Sequence, residues 1–144
     1  MTTLRDERCV PCTGGIPPLS EQAIQSYLPE VPSWNQLDEQ GVAKIRRTYR
    51  FSEYLKALTF VQQVGMLAEN EGHHPVMLVE WGSVTVTWWT HKIKGLHRND
   101  FIMAAKTDQL FMQIDAAWAS VSQTPLQGGS ITFSQSPETI DCSA

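Results

Sequence analysis

At 144 residues the chain has the length of one domain with a single modest core. Its 42% hydrophobic and 18% charged residues are ordinary for a globular protein, and no run approaches the ~18 apolar residues that span a membrane. A net charge of −4 argues against broad nucleic-acid binding, which needs clustered Lys and Arg.

Residues 1–18 include Pro11, Gly14, Gly15, Pro17 and Pro18 and read as an irregular arm. The first eight residues hold no apolar segment, so a cytoplasmic protein without a signal peptide is expected. Cys9-Val10-Pro11-Cys12 is a CxxC pair without the second pair of a zinc knuckle. Cys142 makes the count odd, which is no disulfide framework. The plainer reading is two thiols in a mobile arm; the alternative is metal held by Cys9 and Cys12 with ligands from elsewhere.

Ser20 can cap a short helix over 20–28, closed off by Pro29 and Pro32. A short strand over 34–37 leads into the turn Asp38-Glu39-Gln40-Gly41. Residues 42–51 then alternate, with Ala43, Ile45, Arg47, Tyr49 and Phe51 on one side. That period of two predicts a half-buried strand and an antiparallel hairpin. Its basic residues Lys44, Arg46, Arg47 and Arg50 read as a solvated face. Ser52 is the expected cap of a long helix over 52–71, with Leu55, Leu58, Val61, Val64, Leu67 and Ala68 as its apolar stripe. Gly72 ends it.

A second hairpin follows, with strands over 76–81 and 84–90 joined at Gly82-Ser83 and closed by His91. Asn99 or Asp100 can cap another long helix reaching about 119, with Phe101, Ala104, Ala105, Leu110, Ile114 and Trp118 along it. Residues 120–144, rich in Ser, Gln, Thr, Pro and Gly, are expected to be largely disordered, Ile131-Thr132-Phe133 being the one stretch able to dock. The expectation is therefore an α+β domain over 19–119: a four-stranded antiparallel sheet with helices packed on one face. The strand over 42–51 or that over 84–91 should lie at a sheet edge, with Phe111 and Trp118 free to pack on a neighbour.

Three of the four histidines, His73, His74 and His91, fall within nineteen positions. Histidine exchanges protons near neutral pH, so the cluster suggests acid/base chemistry or metal binding; a structural pair is the bland alternative. The open ends of an antiparallel hairpin are adjacent, which lets the three converge on one pocket. Pro75 biases His74 away from helical angles. Adjacent side chains on extended backbone diverge, so His73 and His74 cannot readily share one ion. Glu69, on the last turn of the preceding helix, can orient an imidazole or stand as a solvated carboxylate.

Glu69-x3-His73-His74-Pro75, then Thr90-His91, Gly95-Leu96 and Asp100, resembles the pterin-4a-carbinolamine dehydratase family in its bacterial form. Trp34-Asn35-x-Leu37 resembles that family's first hairpin, and the likeness covers about residues 20–118. Animal members carry small residues where this chain has Trp88-Trp89. The resemblance implies the α+β fold above, dimers or tetramers joined through their sheets, and no metal or cofactor. It also implies dehydration of 4a-hydroxytetrahydrobiopterin to quinonoid dihydropterin. On it, His73 and His91 carry proton transfer and His74 chiefly binds substrate. Glu69, Trp34, Thr90 and Asp100 are the further substrate-contact candidates, although Trp34 is equally a core residue and Asp100 a helix cap. His97 reads as a surface residue. The alternative function on this scaffold is non-catalytic: a dimerisation partner or a RuBisCO assembly factor. An aromatic amino-acid hydroxylase or RuBisCO is then the implied protein partner.

Overall fold

The computed structural model describes residues 3–11 and 15–121. The elements run α1 (Glu21–Tyr27), β1 (Asn35–Glu39), β2 (Val42–Arg50), α2 (Tyr54–Glu71), β3 (Val76–Glu80), β4 (Ser83–Trp88) and α3 (Arg98–Val121). The strands form one antiparallel sheet in the order β1-β2-β4-β3, giving the expected α+β architecture. Gln40 (φ 56°) and Gly41 (φ 80°) both take left-handed angles, the signature of a two-residue hairpin turn matched to strand twist. The alternation of β2 and β4 puts Ile45, Tyr49, Val84, Val86 and Trp88 on one buried face, with Ile45 opposite Trp88 and Tyr49 opposite Val84. No helix among the described residues is long and apolar enough to cross a membrane.

The expected edge strands are instead central. β2 pairs with β1 on one side and β4 on the other, and β4 lies between β2 and β3. The reason is composition. β2 and β4 carry the fully buried residues, whereas β1 is Asn-Gln-Leu-Asp-Glu and tolerates a half-open edge. The other edge, β3, turns Val76 and Leu78 outward, both about half exposed.

The helices differ from expectation in which residues they bury. α2 begins at Tyr54 after Glu53, with no side-chain cap, so Ser52 does not cap it. Its covered stripe is Ala57, Phe60, Val64 and Ala68, while Leu55 and Leu58 face outward. Phe60 anchors an aromatic cluster with Tyr49 (4.7 Å between centroids), Phe51 (5.3 Å) and Phe111 (6.0 Å). Truncating a buried ring of this kind typically costs ~3–5 kcal/mol. Phe111 is thus spent inside the chain and is not free for a neighbour. Trp118 is partly buried, its indole N–H without a hydrogen-bond partner among the described residues. α3 starts one residue before Asn99. His97 occupies the cap position, its Nδ1 accepting the Asn99 N–H at 3.0 Å. That gives His97 a local role that the surface reading missed.

Lys44, Arg46 and Arg47 of β2 are paired with acidic side chains, while Arg50 is exposed as expected. Arg47 reaches inward to Asp108 on α3 (2.6 Å), whose same oxygen accepts from Trp34 Nε1 (3.0 Å) and Tyr49 OH (2.5 Å). Burial, with the Asp108 carboxylate beside it, pushes the Tyr49 phenol far above its ordinary range, so it remains a donor.

The N-terminal arm is fastened to α3 and α2 over its described length. Leu4 is buried, Arg98 forks onto Glu7 (2.5 and 3.0 Å), and Val10 and Asn99 exchange hydrogen bonds (3.1 and 2.8 Å). The Cys9 N–H donates to Glu71 (3.0 Å). Burial, aided by the Glu71 and Asp100 carboxylates, pushes the Cys9 thiol up to about 12, so it is a neutral, unreactive thiol at pH 7. The mobile-arm reading therefore fails at Cys9. Cys12, Cys142 and the stretch 131–133 lie outside the described residues.

Candidate active site

Helix α2 delivers the histidine pair. Gly72 takes φ +65°, which only glycine adopts without strain, and lets the chain double back. The N–H of Gly72 then bonds the Glu69 carbonyl and that of His73 the Ala68 carbonyl (3.1 Å). These two bonds are the Schellman closure of a helix end. His73 is placed by that closure, and extended backbone into β3 turns His74 the other way.

His73 faces inward. Its Nε2 lies 2.6 Å from Oδ1 of Asp100, a carboxylate with no exposed surface. The other Asp100 oxygen accepts from Thr90 Oγ1 (2.8 Å) and the His97 N–H (2.9 Å). A buried carboxylate is tolerated only with such a full set of donors. The imidazole also stacks on Trp88, centroids 5.5 Å apart and planes within 10°. Two independent constraints thus fix one ring, and Nδ1 is the nitrogen left for a ligand. Asp100 sits three residues past His97 in the first turn of α3. It therefore serves as a helix-start acceptor, as the orienting partner of His73 and, through Thr90, as a tie to the loop that carries His91, while His97 holds the cap position itself.

His74 points outward, and its Nε2 meets Glu69 Oε1 at 2.5 Å, with both side chains exposed. Glu69 therefore orients the second histidine, not the first. Thr90 and Gly95 bridge the two ends of a tight loop, Thr90 N–H to Gly95 carbonyl at 2.9 Å, and His91 opens the loop's single 3-10 turn. The His91 ring lies against Trp89, centroids 4.3 Å apart.

Gly72, His73, His74, Thr90, His91 and Lys92 line one cleft of about 240 Å³. The hairpin brings together all three histidines with Thr90, and Glu69 and Asp100 stand directly behind two of them. Trp34 does not line this cleft; it is a core residue, 3% exposed and tied to Asp108. Two larger hollows, about 360 and 530 Å³, are lined without any histidine. Among the described residues no cluster of three or more His, Cys, Asp or Glu is placed to hold a metal ion. The sequence reading missed Trp88, which presents its ring to His73, and Lys44, whose ammonium stands 4.0 Å from the Trp89 ring. The second follows only from the β2–β4 register, which pairs Ile45 with Trp88 and so sets Lys44 beside Trp89, and no local sequence signal announces that pairing.

The family model described as pterin 4 alpha carbinolamine dehydratase matches residues 17–110. The chain belongs to that family. A relative from Syntrophotalea carbinolica, named "Putative pterin-4-alpha-carbinolamine dehydratase", is 51% identical over 76% of this chain and 98% of its own. One of the same name from Chlorobium luteolum is 46% identical over 79% of this chain and all of its own. Among solved structures, the transcriptional coactivator/pterin dehydratase from Brucella melitensis superposes with a TM-score of 0.60 at 29% identity. That superposition covers 65% of this chain and 97% of the other. The matched span contains the whole cleft and every residue that orients it.

Proposed function

We propose that the chain dehydrates 4a-hydroxytetrahydropterin, 4a-hydroxytetrahydrobiopterin in the hydroxylase cycle, to the quinonoid dihydropterin. The observation that carries this reading is the cleft itself. Two differently held imidazoles, His73 and His91, border one small space in a chain of the pterin 4 alpha carbinolamine dehydratase family.

The reaction breaks the C4a–O bond and the N5–H bond and forms the C4a=N5 double bond. The hydroxyl leaves with a proton from a general acid, and a general base takes the N5 proton, so water is the only other product. Histidines suit both steps near neutral pH because neither proton transfer needs a strong acid or base. His73 works through Nδ1, its Nε2 being engaged by Asp100. His91 is the exposed partner across the cleft. His74, paired with Glu69 at the rim, contributes binding rather than proton transfer.

Pterin binding tests this division of labour without reference to turnover. Titration of the protein with a stable dihydropterin should show saturable binding that weakens on His74→Ala. Equal binding by wild type and variant would remove His74 from the pterin site.

The assembly belongs to the same reading. The exposed row of Val76 and Leu78 on edge strand β3, with Trp81 beyond it, invites uncontrolled pairing unless covered. A closed dimer or tetramer covers it. Light scattering on a chain ending at Val121 should report two or four copies. A monomer at micromolar concentration would refute this, and loss of assembly on truncation alone would assign the contact to the segment beyond.

A further inference from the structure

Each cleft histidine has a different kind of support. His73 rests on a buried carboxylate and His74 on an exposed one. His91 has neither: among the described residues no side chain is hydrogen-bonded to its ring. It is exposed, and its backbone alone is fixed, by the Thr90–Gly95 bridge and the Lys94 N–H to His91 carbonyl bond (3.3 Å). A free imidazole on such a loop would rotate among several staggered positions. What limits it is Trp89, whose ring lies 4.3 Å away at 32°.

Trp89 is itself held. It follows β4 on the outward face of the sheet, beside Lys44 of β2, because Ile45 and Trp88 are directly opposed. The Lys44 ammonium stands 4.0 Å from the indole centroid and also meets Glu39 (3.5 Å), and the Lys44 side chain is only 14% exposed. A cation placed over an indole face is attracted by the ring quadrupole and resists its rotation.

We propose that Trp89, clamped by Lys44, is the positioning residue for His91. The device resting on a ring face leaves both imidazole nitrogens free of protein hydrogen bonds. A group that must meet substrate and exchange protons with water needs that freedom. A carboxylate partner, as at His73, would engage one nitrogen. The inference rests on the dehydratase reading for its kinetic arm alone.

The test compares Trp89→Leu, Trp89→Phe and Lys44→Met. Misplacing a proton-transfer group lowers turnover without removing substrate contacts. Trp89→Leu should therefore lower kcat by ~10–100-fold, with KM within about twofold of wild type. Trp89→Phe should restore most of the rate, since a ring is what His91 needs, and Lys44→Met should fall in the same direction by a smaller factor. In NMR spectra, the His91 ring protons should carry an upfield ring-current shift that Trp89→Leu abolishes and Trp89→Phe largely keeps. Wild-type kcat in a folded Trp89→Leu chain, or a loss carried by KM and not rescued by Phe, would overturn the proposal. An inactive wild type with the ring-current shift present would instead count against the dehydratase reading and leave the His91 contact established.

Discussion

His73→Ala and His91→Ala should each lower kcat for dehydration by ~10²–10⁴-fold, the usual worth of a positioned acid or base. The two losses have different structural backgrounds. His73 is nine-tenths buried between Trp88 and Asp100, so its removal also strands a fully buried carboxylate oxygen. Some loss of stability should accompany the loss of rate. His91 is exposed, and among the described residues its ring has no side-chain hydrogen bond, so His91→Ala should unfold like wild type while losing turnover. Stopped-flow dehydration kinetics beside denaturant titrations separate these outcomes. Wild-type rates in both folded variants would show that the cleft histidines are not the acid and base.

Asp100→Asn should be nearly as damaging as removal of His73, although it changes no volume. The carbonyl oxygen of an asparagine can still accept from Thr90 and from the His97 N–H, so the start of α3 survives. The amide nitrogen then faces His73 Nε2 and donates where the carboxylate accepted. His73 must place its proton on Nδ1, the nitrogen that the substrate would use. Inverting an imidazole tautomer in this way costs orders of magnitude in comparable carboxylate–histidine pairs, and ~10²–10⁴-fold in kcat is expected here. Unchanged circular dichroism with a kcat reduced on that scale is the predicted result. A folded Asp100→Asn chain at wild-type rate would mean that the pair is structural only.

The sheet was legible because period-two alternation in 42–51 and 84–90 reports a one-sided burial that no helix can satisfy. Strand order was not. Nothing local distinguishes a hairpin that joins its neighbour by its first strand from one that joins by its second, and only the summed burial of β2 against β4 decides it. Along α2, Leu55 and Leu58 fit a helical spacing as well as Ala57 and Phe60 do, and hydrophobicity alone chose the wrong pair of rows. The histidine cluster was readable from spacing, because a hairpin's geometry forces its open ends together. Its orientation was not readable: that Glu69 serves His74 while Asp100 serves His73 depends on the Gly72 turn and on the entry angle of α3. Trp34 shows the limit from the other side. Its family resemblance suggested substrate, but its indole N–H is committed to Asp108 in the core.

The most direct measurement follows freshly formed 4a-hydroxytetrahydropterin, with and without catalytic amounts of the protein, by the absorbance of the quinonoid product. Multiple-turnover acceleration of water loss well above the spontaneous rate is expected, abolished in the His73→Ala/His91→Ala double variant. A folded wild-type protein that leaves the spontaneous rate unchanged, or a double variant as fast as wild type, would contradict the dehydratase reading.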